Sequence, residues 1–173
     1  MPEGSNQKSM FARRLAGPVF AAAMLFGSAA HAACPIELAT YAGQGGTMAI
    51  EFRPTNASVT VTNSFRFLAG ERALDGIVMW TAGAARSWGV VMDGCPEGDL
   101  TGNEISECTL WEGVVYAVDA DGKVGLLPAE GQPAPQTLIL ADLGPWLSQS
   151  DAWREAGSLA EPWDVFTLSG CQE

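Results

Sequence analysis

Short runs in which apolar and polar residues alternate recur through this chain, and they leave few folds open to it. In Thr60-Val61-Thr62-Asn63-Ser64-Phe65-Arg66-Phe67, Val61, Phe65 and Phe67 alternate with Thr60, Thr62, Ser64 and Arg66. Met48, Ile50 and Phe52 alternate with Ala49, Glu51 and Arg53 in the same way. Successive side chains of a strand point to opposite faces, so a period of two means one buried face and one wet face. Leu74 to Thr81 holds the denser run Ile77-Val78-Met79-Trp80, which suits a more enclosed strand. Trp88, Val90 and Met92 alternate again. Leu110, Val114, Tyr116 and Val118 share one parity, with Glu112 as the exception.

The punctuation between these runs supports the same reading. Asp119-Ala120-Asp121-Gly122 predicts a tight turn into a returning strand at 123–127, because Asp-Gly between alternating strands favours a hairpin. The three prolines between Pro128 and Pro135 predict a loop. Further strands are expected at 137–140 and at 165–168, the last running into Cys171. One helical stretch is predicted from Asp142 to Ala156, with Leu143, Trp146, Leu147 and Trp153 close to one face. Pro145 is tolerated in a first turn, and Ser150 can cap a shorter second piece. About eight or nine short strands and one late helix make the fold mainly β, an antiparallel β-barrel or sandwich with one short helix in its C-terminal half.

The N-terminus carries a different signal. Lys8 and Arg13-Arg14 precede the apolar run Leu15 to Phe26, which is interrupted by Gly17 and Pro18 and followed by Ala30-His31-Ala32. A basic start, a short apolar run and a small-x-small end describe a secretory signal peptide, and the run is shorter than a membrane span of roughly 20 residues. Residues 1–32 are therefore expected to be cleaved, leaving residues 33–173 as a single disulfide-linked β domain in the bacterial periplasm or beyond. Met10-Phe11-Ala12-Arg13-Arg14 is a more ordinary leader start, so Met1 and Met10 both stand as initiation sites. Asn56-Ala57-Ser58 matches a glycosylation acceptor but reads as a turn in a periplasmic chain.

Cleavage leaves six basic and nineteen acidic residues, a formal charge of about −13. Nucleic acid and anionic membrane surfaces both require a basic footprint and make poor partners. His31, the only histidine, leaves with the leader. The commonest general base and metal ligand goes with it, so histidine-dependent triads and mixed zinc sites are excluded. No metal and no cofactor is expected.

Cys34, Cys95, Cys108 and Cys171 all survive cleavage. An even count in an exported chain predicts two disulfides. Of the three pairings, Cys95–Cys108 closes a short loop and Cys34–Cys171 ties the chain ends together, and this is the expected set. It leaves no thiolate for catalysis.

Four clusters remain as candidates for chemistry. The loop between Cys95 and Cys108 collects Glu97, Asp99, Asn103, Glu104 and Glu107, but without calcium-loop spacing it reads as a solvated acidic loop. Asp119 to Gly122 reads as a turn. Among six tryptophans, Trp80, Trp88 and Trp111 are candidates for a ligand site, since aromatic rings stack sugars and apolar ligands. Trp111 has the parity opposite to Leu110 and Val114 and faces either outward or into a lumen. Glu112 breaks the apolar parity of its strand and is expected to point inward, which makes it the candidate catalytic carboxylate.

The expected function is therefore a non-catalytic binding or accessory protein, including an inhibitor of a cationic envelope protein, or one that takes a small apolar ligand. The alternative is a carboxylate-dependent hydrolase acting on an envelope polysaccharide, with Glu112 as one member of its acid/base pair.

Overall fold

Eight strands in a computed structural model close on themselves as an antiparallel barrel, the first of the two β architectures expected. The structure describes residues 33–55, 60–81, 83, 85–98, 101–155 and 162–173. The expected leader, Asn56 to Ser58, Asp99 and Ala156 lie outside the described residues. The strands are β1 Ala39–Gly43, β2 Met48–Arg53, β3 Val61–Ala69, β4 Arg72–Trp80, β5 Ser87–Met92, β6 Thr109–Val118, β7 Val124–Leu126, β8 Thr137–Leu140 and β9 Val165–Cys171. The barrel runs β1-β2-β3-β4-β5-β6-β8-β9 and returns to β1, with β7 added to β6 as a short hairpin arm. Helices are α1 Gly102–Cys108, α2 Leu143–Gln149 and α3 Asp151–Glu155. Closure leaves no free edge among the eight barrel strands, which removes the usual route to edge pairing between molecules.

Alternation does what it predicts in β2 and β3. Met48, Ile50 and Phe52 are buried, as are Phe65 and Phe67, while Glu51 and Arg66 face outward across from each other. The interior is filled by aromatic side chains: Tyr41, Phe52, Phe65, Phe67, Trp111 and Phe166 are all fully buried. Phe52 stacks in tilted fashion on Phe65, and Phe67 meets Phe166 edge to face at 5.9 Å between centroids. Strand β1 has no counterpart in the sequence reading, because Ala39-Thr40-Tyr41-Ala42-Gly43 places only one large apolar residue on its inner face.

In β5 and β6 the expected parity is reversed. Gly89 and Val91 point inward, as do Trp111, Gly113, Val115 and Ala117, while Trp88, Leu110, Val114 and Tyr116 stand half-buried on the outside. Glycines explain the inversion. A Cβ added at Gly113 would come within 2.7 Å of the Trp111 ring, and one at Gly89 within 2.9 Å of it. The inner face therefore carries little side chain of its own beside one indole that takes the space. A count of apolar residues favours the outer face and misassigns the strand. Gly76 does the same for Phe65, whose ring lies 2.2 Å from where a Cβ would stand.

Each barrel end is closed by a different device. At one end the loop from Leu127 to Gln136 lies across the opening. Tyr41 Oη donates to the Pro135 carbonyl at 2.9 Å, Asn63 Nδ2 donates to that of Pro128 at 3.1 Å, and Ser87 Oγ accepts from Leu127 N–H at 3.0 Å. Burial raises the Tyr41 phenol above its ordinary pKa. Cys34 and Cys171 are bonded at this end, where Ala39 pairs with Cys171 and Ala134 N–H donates to the Cys34 carbonyl. At the other end Leu143, Leu147 and Trp153 are buried beneath the broken helix, with Trp153 against Phe67. The helix breaks at Ser150, whose N–H closes α2 on Leu147 and whose Oγ accepts from Trp153 N–H at 3.2 Å to begin α3. The second disulfide, Cys95–Cys108, is at this end and anchors α1 beside Asp93.

Candidate functional site

Beside the β7 arm, Ala117, Lys123, Leu126, Pro128 and Pro135 line a recess of about 430 Å³. Others that a ligand could enter without unpacking the barrel lie on the outer wall around α2. Their position follows from β6. Trp111 turns inward and its indole N–H donates to the Ala141 carbonyl at 2.9 Å, immediately before α2. Asp142 follows in the left-handed region (φ 61°), a conformation that Asp adopts more readily than most residues. Gly144 N–H then donates to Asp164 Oδ1 at 2.7 Å, and a Cβ there would meet the Pro162 carbonyl oxygen at 2.5 Å. These contacts fix the start of α2 from two sides. They leave Trp146 on its outer face, 57 % exposed, rather than with Leu143 and Leu147 in the core.

Opposite α2 stands α1, which the sequence reading leaves as loop. Thr101 caps it. The Glu104 carboxylate accepts from both the backbone N–H and the hydroxyl of Thr101, at 2.8 and 2.7 Å, while Glu104 N–H donates back to Thr101 Oγ1. This is a capping box, and Thr-x-x-Glu was its legible signal. The bonds from Thr101, backbone first and then hydroxyl, hold Glu104 below the usual carboxylate range. Ile105 is presented outward and is 41 % exposed.

Between α1 and α2 runs a groove. Ile105, Ser106, Thr109, Leu110, Glu112 and Trp146 line its first part, about 320 Å³ in volume. It continues along Thr109, Leu110, Trp146, Gln149 and Ser150. Glu112 is thus on the outer face, exposed, and not turned inward as expected. The reason is the parity reversal in β6. It is the one carboxylate among the described residues lining the groove. On the far side of α2 a second recess is formed by Ile139, Pro145, Ser148, Trp163 and Val165, with Trp163 49 % exposed.

The three tryptophans singled out in the sequence do not converge. Trp111 is core, 1 % exposed, and Trp88 is on the outer wall. Trp80 ends β4 and is 42 % exposed at the barrel end away from α2. Trp146, Ile105 and Trp163 are the exposed apolar residues that flank the recesses. Of these only Trp146 lay near a predicted helical stripe, where an apolar residue reads as core until its neighbours are known, and Ile105 fell in a stretch expected to be loop.

Charge is unevenly divided around the barrel. Arg53, Arg66 and Arg72 lie on β2 to β4 and Arg86 just before β5, with Arg53 paired to Asp75 at 3.0 Å and Arg72 to Asp93. From Asp93 to Asp151 the chain has eleven acidic residues and one base, Lys123. Lys123 lies in the turn beyond the far end of β6, roughly 30 Å along the strand from Thr109 at about 3.3 Å per residue. That is well beyond the Debye length of about 10 Å. Arg154 on α3 is paired with Asp151. Among the described residues no three metal-ligating side chains come together.

No family model, no curated protein and no solved structure matches this sequence.

Proposed function

We propose that the mature chain is a non-catalytic binding or accessory protein of the periplasm or extracellular space, acting on a cationic envelope protein as an inhibitor or auxiliary subunit. The reading rests above all on the filled barrel: aromatic side chains occupy the interior, and recesses flanked by exposed apolar residues lie on the outer wall. A surface of this kind suits a protein partner better than a small apolar ligand, which calls for an enclosed pocket. The acidic half of the barrel supports a partner of positive charge, since complementary charge speeds and orients encounter. Hydrolysis by paired carboxylates is less well supported, because Glu112 stands without a second carboxylate among the described groove residues.

The experiment is capture of envelope proteins on the immobilised mature chain at low and at high salt. A basic protein retained at low salt and released at high salt is the expected result. An empty column at low salt overturns the charge-driven reading. The alternative has its own check: a polysaccharide-hydrolysing activity lost in Glu112→Gln would replace the binding reading with an enzymatic one.

A further inference from the structure

Resting on that reading, we infer that the partner is held in the α1–β6–α2 groove through a cationic amphipathic segment. One of its lysine or arginine side chains sits on Glu112, and an apolar neighbour is clasped between Ile105 and Trp146.

Three observations carry this. The first is shape. Ile105 and Trp146 are exposed on separate helices yet line one groove with Leu110 between them. An exposed tryptophan beside aliphatic side chains is the composition of an interface anchor, because it supplies a large rigid area at low entropic cost. The second is rigidity. α1 is fixed by its capping box and by Cys95–Cys108, and α2 by Trp111–Ala141 and Gly144–Asp164. The two walls are preorganised, so an occupant does not have to order them.

The third is charge. Glu104 and Glu107 stand on α1 and Glu112 on the neighbouring strand, all exposed. Of the bases nearest in sequence, Lys123 is at the far end of β6 and Arg86 donates to Tyr116 Oη at 3.1 Å, four residues further along β6 than Glu112, while Arg154 on α3 is paired with Asp151. An apolar floor with an acidic rim and no cation among its described lining residues is complementary to a segment carrying both positive and apolar side chains. An acidic or purely polar segment would meet like charge or leave the floor wet.

The test uses the intact mature chain and a synthetic twelve-residue peptide of alternating lysine and leucine. Two control peptides replace every lysine by glutamine or every leucine by serine. Binding is followed by tryptophan fluorescence, and the site is located by backbone amide shifts in two-dimensional NMR. The expected result is that only the lysine–leucine peptide binds appreciably at about 0.15 M salt, where the Debye length is about 8 Å. The shifted amides should belong to 102–112 and 143–149. Trp146→Ala should weaken binding about tenfold or more, as loss of an interface anchor does. Glu112→Gln should weaken it several-fold and flatten its salt dependence, while Val124→Ala, on the exposed β7 arm at the other barrel end, should leave it unchanged.

The outcomes separate the two claims. Binding that is indifferent to Trp146→Ala and Glu112→Gln, with shifts elsewhere on the barrel, overturns the groove and leaves a cationic partner standing. Equal binding of the leucine-to-serine control overturns the apolar clasp. No binding of any peptide, together with an empty low-salt column, removes both claims. All these substitutions are at exposed positions, and unchanged amide shifts in the free variants will show that the barrel is intact.

Discussion

The indole N–H of Trp111 donates to the carbonyl oxygen of Ala141 at 2.9 Å. The bond links the middle of the barrel to the residue before Asp142, and so connects core packing to the placement of α2. The room for the ring comes from Gly89 and Gly113, where an added methyl would lie within 3 Å of it. Trp111→Phe should cost about 2–3 kcal/mol, from the unpaired carbonyl and the lost part of the ring system. Gly113→Ala should cost about 1–3 kcal/mol by overpacking, with its Cβ also pressed on the Ala141 carbonyl. Urea denaturation of each variant measures both. A neutral Gly113→Ala would mean that the glycine does not serve the indole.

Tyr41 makes stability depend on alkaline pH. Its phenol is buried, donates to Pro135 and is shifted upward from its ordinary value of about 10. The folded state therefore holds the neutral form more firmly than the unfolded chain does. That contribution is fully present below pH ~10 and is lost as pH rises above it, toward the higher folded value. Tyr41→Phe should lower stability by about 1–3 kcal/mol at pH 7, because the Pro135 carbonyl loses its partner. It should also flatten the decline above pH ~10 that the unsubstituted protein shows. Thermal melts between pH 7 and 11 are the measurement, and parallel curves for the two proteins would contradict this role.

The two disulfides should not be equal. Cys34–Cys171 spans a sequence separation of 137 and Cys95–Cys108 one of 13. Cross-links that close longer loops remove more entropy from the unfolded chain. Replacing the first pair by serines should cost about 5 kcal/mol and the second about 3 kcal/mol. Non-reducing peptide maps fix the connectivity, and denaturant midpoints of the two double variants give the ranking. The short bridge also holds α1, so its loss should weaken groove binding, whereas loss of the terminal bridge should act on stability alone.

What could be read beforehand followed from local rules. Alternation in Met48–Phe52 and in Phe65-Arg66-Phe67 placed the right side chains inside, since each strand has bulky apolar residues on one face only. The Asp119–Gly122 turn formed as predicted, with Asp119 Oδ1 accepting from the N–H groups of Asp121 and Lys123. Ser150 divides the helix, as its capping chemistry allowed. The cysteine pairing followed from spacing and an even count. The Thr101–Glu104 capping signal was legible in principle but was masked by the acidic composition of its loop.

Sequence alone therefore determined a mainly β fold with two disulfides, whose pairing leaves none of the four cysteines as a free thiol. Those conclusions depend on residue type and short-range period, which a chain displays before it folds. Tertiary structure decided the rest. It chose a barrel over a sandwich through the pairing of β1 with β9 and of β5 with β6. It turned Trp111 inward and Glu112 outward, because two glycines far weaker in hydropathy than their neighbours made the space for one ring. It assembled the groove from Ile105, Leu110 and Trp146, which lie on three different elements. No local pattern records such a meeting, since it exists only once β6 is flanked by both helices.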